Sequence, residues 1–348
     1  MTARTAWQPP VPRGESGEPP QASPEIGGYF GLDLPDHGDF FPGTHALQSG
    51  RSALEAAFRS AGYAKARLPA YVCDTVIAAA ERAGVQVEFY PVDGSLYPVD
   101  LPKRLPADTL LLYVNYFDLG RANIQRLLQH IPPQQLIIDN CQAAFAPHYD
   151  ALAAVYSPRK FAGMPDGGLL RAHPTLAFEA PAQQDEGSFE RMRSLLKRSS
   201  ESARAGYAAF DAARRSLNDL PPQRMSHLSA RLLRAIDWHE VRRRRQGHFS
   251  TMHERLGALN GFSWTQDRAA VPLCYPLLCP GRDAQRWREE LASLNIFTPL
   301  YWPDAKKRAL AGSFEARFMH STLFLPIDQR MDETQVHQVC DRVLALAS

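Results

Sequence analysis

The sequence has no apolar run close to the roughly 20 residues that a membrane-spanning helix needs. Its N-terminus also lacks the apolar core of a signal peptide, which predicts a cytoplasmic protein without a membrane partner. There is no strong charge imbalance either, because 39 Lys and Arg residues face 37 Asp and Glu residues and the net charge is +2. A nucleic acid or another polyanionic partner is therefore not needed to explain the composition.

Cysteine is scarce, with five residues in 348, and no two of them have the CxxC spacing of a metal site. A disulfide framework is not expected in a chain of this length. We predict free thiols in a reducing cytosol and no metal site. The cysteines are Cys73, Cys141, Cys274, Cys279 and Cys340.

Residues 1–25 contain little that a core could bury, since they are rich in Pro, Gly, Ser and Glu. We expect a flexible tail there. Over the whole chain 45% of the residues are hydrophobic and 22% are charged, which is typical of a globular protein. The length is sufficient for one large domain and a smaller one.

Helical and strand-like patterns alternate after this tail. Apolar residues recur at helical spacing over 52–61 and 75–83, and short runs rich in β-formers lie between and after them. Several runs are apolar throughout, as in parallel strands that are covered on both faces. The expected strands are 66–68, 85–90, 109–114, 136–139 and 168–171. This alternation predicts an α/β domain over residues 26–225, with a mainly parallel sheet between helices.

The sequence after this α/β alternation has a different pattern, which predicts a smaller C-terminal α+β domain over residues 226–348. Long, charged, helical patterns cover 187–215 and 227–258, with a break at 216–224 that contains two prolines. The expected elements that follow are a strand at 270–278, a helix at 282–294, a strand-like run at 296–301 and a helix at 332–347.

Three segments contain residues that could carry chemistry. The turn Ser49-Gly50-Arg51-Ser52 precedes the first helix, where free backbone N–H groups favour a phosphate. An ordinary helix cap, with Ser49 or Ser52 as N-cap, explains the same turn. Asp139 ends an apolar strand, at the sheet edge where α/β proteins bind ligands, although it could equally cap the next segment.

The third segment is a Gly- and Pro-rich loop that contains Lys160, three residues after Ser157 and just before a strand. An amine in such a loop can be partly desolvated and nucleophilic. The alternative is a solvated surface lysine.

Together these segments resemble the DegT/DnrJ/StrS family of sugar aminotransferases, which depend on pyridoxal 5'-phosphate (PLP). The matches are Ser49-Gly50, Asp139 with Gln142, and Lys160 followed by Gly167-Gly168. Looser matches, such as Leu68-Pro69-Ala70-Tyr71, extend the resemblance over roughly residues 45–345. The resemblance implies the PLP-dependent transferase-like fold (fold type I) and PLP as the cofactor.

The resemblance also implies a role for each matching residue. Lys160 would form the Schiff base with PLP and then move the substrate proton. Asp139 would keep the pyridine nitrogen protonated, so that the ring acts as an electron sink. Gln142 would face the ring or its 3-oxygen. The cofactor phosphate would lie against Ser157 and the turn Ser49–Ser52.

The chain also departs from the family pattern. Arg51 replaces the usual threonine, and it can either point inward to the phosphate or outward to solvent. Cys73 stands where an aromatic residue often stacks on the ring. Tyr71 is the nearest aromatic candidate for that stacking, and the alternative is a buried core tyrosine. Asp166 replaces the usual glutamate.

The activity that the resemblance implies is amino transfer from a glutamate-like amino acid to a keto sugar, with a nucleotide-linked keto sugar as the more specific form. A homodimer is also implied, in which Arg242–Arg245 or the region around Tyr207 reaches the partner's phosphate. The arginine run is equally explained as a solvated helix face. Two other functions stay open: a different PLP reaction such as elimination, and a non-catalytic binding or regulatory protein. Family members that dehydrate sugars carry histidine instead of the lysine, so Lys160 argues against the first of these.

Overall fold

The computed structural model describes residues 26–279, 281 and 283–348. The tail expected at residues 1–25 lies outside the described residues. Contacts divide the chain after Leu34 into two units. In the first unit, the described residues 26–34 form neither a helix nor a strand.

A seven-stranded sheet forms the centre of the second unit, Pro35–Ser348. Its strands lie in the order β1-β7-β6-β5-β4-β2-β3. Strands β2 to β6 run parallel, whereas β7 pairs antiparallel with both β6 and β1. The bounds are β1 (His45–Leu47), β2 (Lys65–Pro69), β3 (Gln86–Tyr90), β4 (Thr109–Val114), β5 (Leu136–Asn140), β6 (Ala153–Tyr156) and β7 (Gly168–Ala172). The mainly parallel sheet is confirmed, although the sequence patterns missed β1 and β6.

Strands β4 and β5 form the buried middle of this sheet, and every residue in them is buried. Leu112 faces Ile137 and Val114 faces Asp139 in the parallel register. The next residue, Asn115, donates its backbone N–H to the carbonyl of Asp139 at 3.0 Å. Polar residues that follow an apolar run thus meet at the carboxyl edge of the sheet.

The helices begin and end at clear capping signals. Helix α1 starts after Ser49, whose side chain accepts from the backbone of Ser52, and it stops at Gly62 with a left-handed φ of 68°. Each long helical pattern of the sequence splits in two, because Ser202 and Asp237 start new helices as N-caps. In the described residues the helices are α1 (Gly50–Ala61), α2 (Asp74–Arg82), α3 (Arg121–Leu128), α4 (Ser188–Ser200), α5 (Ala203–Arg215), α6 (His227–Arg234), α7 (Trp238–Leu256), α8 (Ala284–Ser293), α9 (Phe314–Ser321) and α10 (Glu333–Ala347).

A second hydrophobic cluster lies in the C-terminal part, around a two-stranded antiparallel sheet of β8 (Tyr275–Leu278) and β9 (Thr322–Leu325). The strand predicted at 270–278 forms only over its last four residues. The strand-like run at 296–301 forms no strand, because Asn295 and Trp302, with φ of 61° and 51°, turn the chain on either side of it. A domain boundary at residue 226 stays a prediction.

No helix in the described residues is long and apolar enough to cross a bilayer.

Candidate active site

The predicted site residues collect where the parallel strands end. Tyr71 follows β2, Asp139 is the penultimate residue of β5, and Ser157 follows β6 directly. The turn before α1 reaches the same region through a bridge between Ser49 and Gly167. Topology alone therefore brings four separate segments to one edge of the sheet.

The serines of the first turn are largely satisfied within the turn itself. Ser49 Oγ accepts from the Ser52 backbone N–H at 3.2 Å and lies 3.0 Å from Ser52 Oγ. Ser52 Oγ also donates to Gln48 Oε1 at 3.1 Å. The helix-cap interpretation therefore describes Ser49, while phosphate binding through the two hydroxyls stays a prediction.

Gly50 leaves the space beside this turn open. A Cβ at Gly50 would lie 2.9 Å from Cys141 Sγ and 3.7 Å from Ser157 Oγ. Ser157 is only 3% exposed, and its hydroxyl makes no hydrogen bond to any residue that the structure describes. A buried hydroxyl without a partner at a helix N-terminus is a suitable place for a phosphate oxygen.

Asp139 is buried and held in place at the end of β5. Its Oδ1 accepts from the Cys141 backbone N–H at 2.9 Å, and its Oδ2 makes no hydrogen bond within the described part of the chain. Burial raises the pKa of the Cys141 thiol; the charge of Asp139 raises it further, and that of Lys160 lowers it. Asp139, Cys141 and Lys160 are therefore electrostatic neighbours.

Gln142 has an unusual environment for an amide. It is 1% exposed, and both its Nε2 and its Oε1 are buried without a hydrogen-bond partner among the residues that the structure describes. Leaving two polar atoms of one side chain unpaired costs about 1–3 kcal/mol for each group. Such atoms point to a polar ligand that the chain itself does not supply.

Tyr71 is part of an aromatic cluster. Its ring is fully buried and stacks on Tyr116, with centroids 5.7 Å apart and planes at 8°. The ring of Trp302 is tilted against it, with centroids 4.8 Å apart. Burial raises the pKa of Tyr71, and its hydroxyl has no hydrogen-bond partner within the described ranges. The alternative of a buried core tyrosine describes these contacts, and stacking on a cofactor stays a prediction.

Lys160 ends a single 3₁₀ turn, Pro158–Lys160. It is exposed, and its amine makes no hydrogen bond or ion pair with the described residues. The sequence led us to expect a partly desolvated Lys160 amine, and within a single chain this amine is exposed instead.

Arg51 lies half-buried against the end of α5. Its Nη1 donates to Asn218 Oδ1 at 2.6 Å and to the carbonyl of Arg214 at 3.1 Å. Burial lowers the pKa of Arg51 to about 10, and the nearby charge of Arg159 is the next cause. The guanidinium is therefore not free in solvent, but the two bonds that it makes are directed to α5.

A buried ionic network, which the sequence patterns missed, holds the end of the lysine loop. Arg191 Nη1 donates to Asp166 Oδ2 at 2.8 Å and to Asp185 Oδ2 at 2.6 Å. Ser188 and Ser229 also donate to Asp166. Nothing in the charged pattern of α4 distinguishes a buried arginine from its exposed neighbours.

The start of the lysine loop is attached to the C-terminal part of the chain. The carbonyl of Phe161 accepts from Gln329 Nε2 at 2.8 Å and from Arg245 Nη2 at 3.4 Å. Arg245 is 2% exposed, so it is not available to reach a partner subunit. Arg243 and Arg244 pair with Glu240 on their own helix, as expected for a solvated face.

No protein-family model matches the sequence, and no curated protein matches it. Solved structures do match. The sugar aminotransferase CalS13 from Micromonospora echinospora is 15% identical, with a TM-score of 0.55 over 87% of this chain and 87% of that chain. A DegT DnrJ EryC1 StrS aminotransferase from Brucella abortus is 14% identical, with a TM-score of 0.58 over 87% and 85%. NtdA from Bacillus subtilis, crystallised with the cofactor PMP, is 14% identical, with a TM-score of 0.60 over 87% and 73%.

This chain has the fold of these aminotransferases. The fold that the sequence resemblance implied is thereby confirmed. At such identities the likeness concerns the architecture, and the chemistry has to be argued from the residues themselves.

Proposed function

We propose that the protein is a PLP-dependent aminotransferase. The observation that carries this proposal is the set of unsatisfied polar groups at the carboxyl edge of the sheet. Beside Asp139 and Lys160, the side chains of Gln142 and Ser157 are buried and make no hydrogen bond to any residue in the described part of the chain. A phosphorylated pyridine would satisfy these groups: its phosphate fits Ser157 and Gly50, and its ring substituents fit the amide of Gln142.

Each of these residues then has a defined task. When bound, PLP supplies the electron sink for amino-group chemistry. Lys160 would hold the cofactor covalently through its Nζ, and the same amine would move the substrate proton. Asp139 has one oxygen fixed by the Cys141 N–H, so its Oδ2 is the atom that would hold the proton on the ring nitrogen. An exposed Lys160 is accessible to both cofactor and substrate.

We infer from the resemblance that a glutamate-like amino acid is the donor. A keto sugar is the acceptor under the same inference, which structural relatives such as the sugar aminotransferase CalS13 also support. A nucleotide-linked keto sugar is the more specific form of this proposal.

Dimer formation is part of the proposal. Among its thirteen residues α5 buries only Gly206, while Tyr207 and Phe210 are 66% and 47% exposed. Phe189 and Leu196 on α4 are 72% and 58% exposed. An apolar surface of this kind favours association, and a second copy of the chain would cover it and close the open side of the site.

Chemical trapping tests the proposed function. Borohydride reduction of the PLP-loaded protein should fix the pyridoxyl group on the peptide that contains Lys160, and Lys160→Ala should abolish the label. Lys103→Ala is the matched control and should keep it. Label on Lys65, Lys103 or Lys197 would contradict the assignment.

A screen of amino-acid donors tests the reaction itself. Glutamate should change the absorbance of the PLP-loaded protein, whereas a binding or regulatory protein would show no such change.

A further inference from the structure

Arg159, between Ser157 and Lys160, has no partner for its charge in the part of the chain that the structure describes. The residue is half-buried, yet its guanidinium makes no hydrogen bond or ion pair with any residue in the described ranges. The family resemblance gives this position no role. A cation that is taken out of water without a partner costs free energy, so its presence requires a reason.

The charges around Arg159 increase that cost. Burial is the main cause that lowers its pKa, and the charges of Arg214 and Arg191 lower it further. Asp166 is the carboxylate that opposes them. However, both oxygens of Asp166 already accept bonds, from Arg191 and from serine hydroxyls. Arg51 is a further cation within range. Arg191 has two carboxylate partners and Arg214 pairs with Asp211, whereas Arg159 and Arg51 have no carboxylate partner among the described residues.

This cationic cluster adjoins the turn before α1. Arg159 lies in the turn Pro158–Lys160, which Ser157 precedes directly, and the Cys141 Sγ is the atom that a Cβ on Gly50 would contact at 2.9 Å. The hydroxyl of Ser157, which is 3% exposed and without a partner among the described residues, faces the same space. A buried hydroxyl and a helix N-terminus therefore share one position, and Arg159 follows Ser157 by two residues in the same turn.

We propose that Arg159 binds the phosphate monoester of the cofactor, with Arg51 as the second cation, so that one chain supplies both positive charges of the phosphate site. This inference rests on the proposed function. A guanidinium presents paired N–H donors that match two phosphate oxygens, and a dianion balances two arginines. Binding then satisfies Ser157 and relieves the repulsion between the arginines in one step.

The test compares two ligands that differ only in the phosphate. Apo-protein is titrated with PLP and with pyridoxal, for the wild type, Arg159→Met, Arg159→Lys and Arg104→Met. Arg159→Met should weaken PLP binding about 10- to 100-fold, as expected for one charge-assisted bond, and leave pyridoxal binding unchanged. Arg159→Lys should lose less, because the charge remains but the paired donors do not. Arg104 is an exposed arginine without a partner in the described chain, before the amino end of β4, and its variant should bind like the wild type.

Thermal unfolding of the apo-protein separates ligand binding from a structural role. Arg159→Met should unfold at the wild-type temperature or above, since an unpaired cation is removed, and inorganic phosphate should stabilise it less than the wild type. A lower unfolding temperature, or equal losses of PLP and pyridoxal affinity, would overturn the proposal. Unchanged PLP binding by Arg159→Met, together with weaker binding of uridine diphosphate, would also overturn the proposal. Arg159 would then bind a phosphate of the substrate. If wild-type protein takes up no PLP, the proposed function fails, and the phosphate titration still decides whether Arg159 binds this anion.

Discussion

At the scale of single residues, Gly168 has the least space of any site glycine. A Cβ there would lie 2.1 Å from the carbonyl carbon of Ser49, which is a contact with rigid backbone. Gly168→Ala should therefore separate the start of β7 from the turn before α1. We expect a loss of about 1–3 kcal/mol or more in the free energy of unfolding, together with weaker PLP binding. Urea denaturation measures the first effect. Gly163→Ala, where a Cβ meets nothing within 4 Å, is the control and should cost little.

Asp139→Asn tests the carboxylate at the end of β5. The amide oxygen can still accept from the Cys141 N–H, so the fold should be retained. Proton removal from the amino-acid substrate should slow about a hundredfold, equivalent to about 3 kcal/mol of barrier, because the amide cannot keep the ring nitrogen protonated. Stopped-flow absorbance with glutamate gives this rate. Near-normal rates with normal PLP content would show that another group has this role.

The sequence was sufficient to predict where Asp139 lies, because a polar residue at the end of an apolar strand must occupy the carboxyl edge of the sheet. Ser157 follows β6, which the patterns missed, so the roles of Ser157 and Lys160 came from the family resemblance. The sequence was not sufficient for Arg159 or Arg191. Whether an arginine is buried depends on which helices pack over it, and that information is not local. The same limit applies to Tyr71, whose ring is enclosed by residues more than 40 positions away.

At the scale of elements, the link between α4 and the lysine loop is the buried network around Arg191. Arg191→Met would leave Asp166 and Asp185 buried without their cation, which costs about 3–5 kcal/mol. Arg193→Met changes an exposed residue of the same helix and should alter stability by less than about 0.5 kcal/mol. Guanidinium denaturation of both variants measures the difference. Equal stability of the two variants would mean that the loop does not depend on this network.

The elements themselves were predicted unevenly. Apolar runs such as those of β4 and β5 are long and buried on both faces, so their pattern was clear. Strands β1 and β6 have three and four residues, too few to give a period. The long helical patterns did not show the two breaks within them. Ser202 and Asp237 look like ordinary surface residues in the sequence, and only the structure shows that their side chains cap new helices.

At the scale of the whole molecule, the exposed apolar face of α4 and α5 should control the assembly. The double variant Tyr207→Glu with Phe210→Glu places charges on this face, and it should convert a dimer to a monomer. Leu310→Glu, which changes an exposed leucine elsewhere at 72% exposure, is the control and should stay dimeric. Sedimentation velocity at micromolar concentration distinguishes the two states. A wild-type protein that sediments as a monomer with PLP bound would contradict the proposed dimer.

The bond between Gln329 and the carbonyl of Phe161 also has a consequence for protein synthesis. The two residues are 168 positions apart, so Gln329 is translated long after the lysine loop that it anchors. Strands β1 to β7 can associate on the ribosome before that, since all their residues precede position 173. The lysine loop therefore gains this bond only after every strand of the sheet has been made. A nascent chain that stops before Gln329 would have the strands of the sheet but a lysine loop without this anchor.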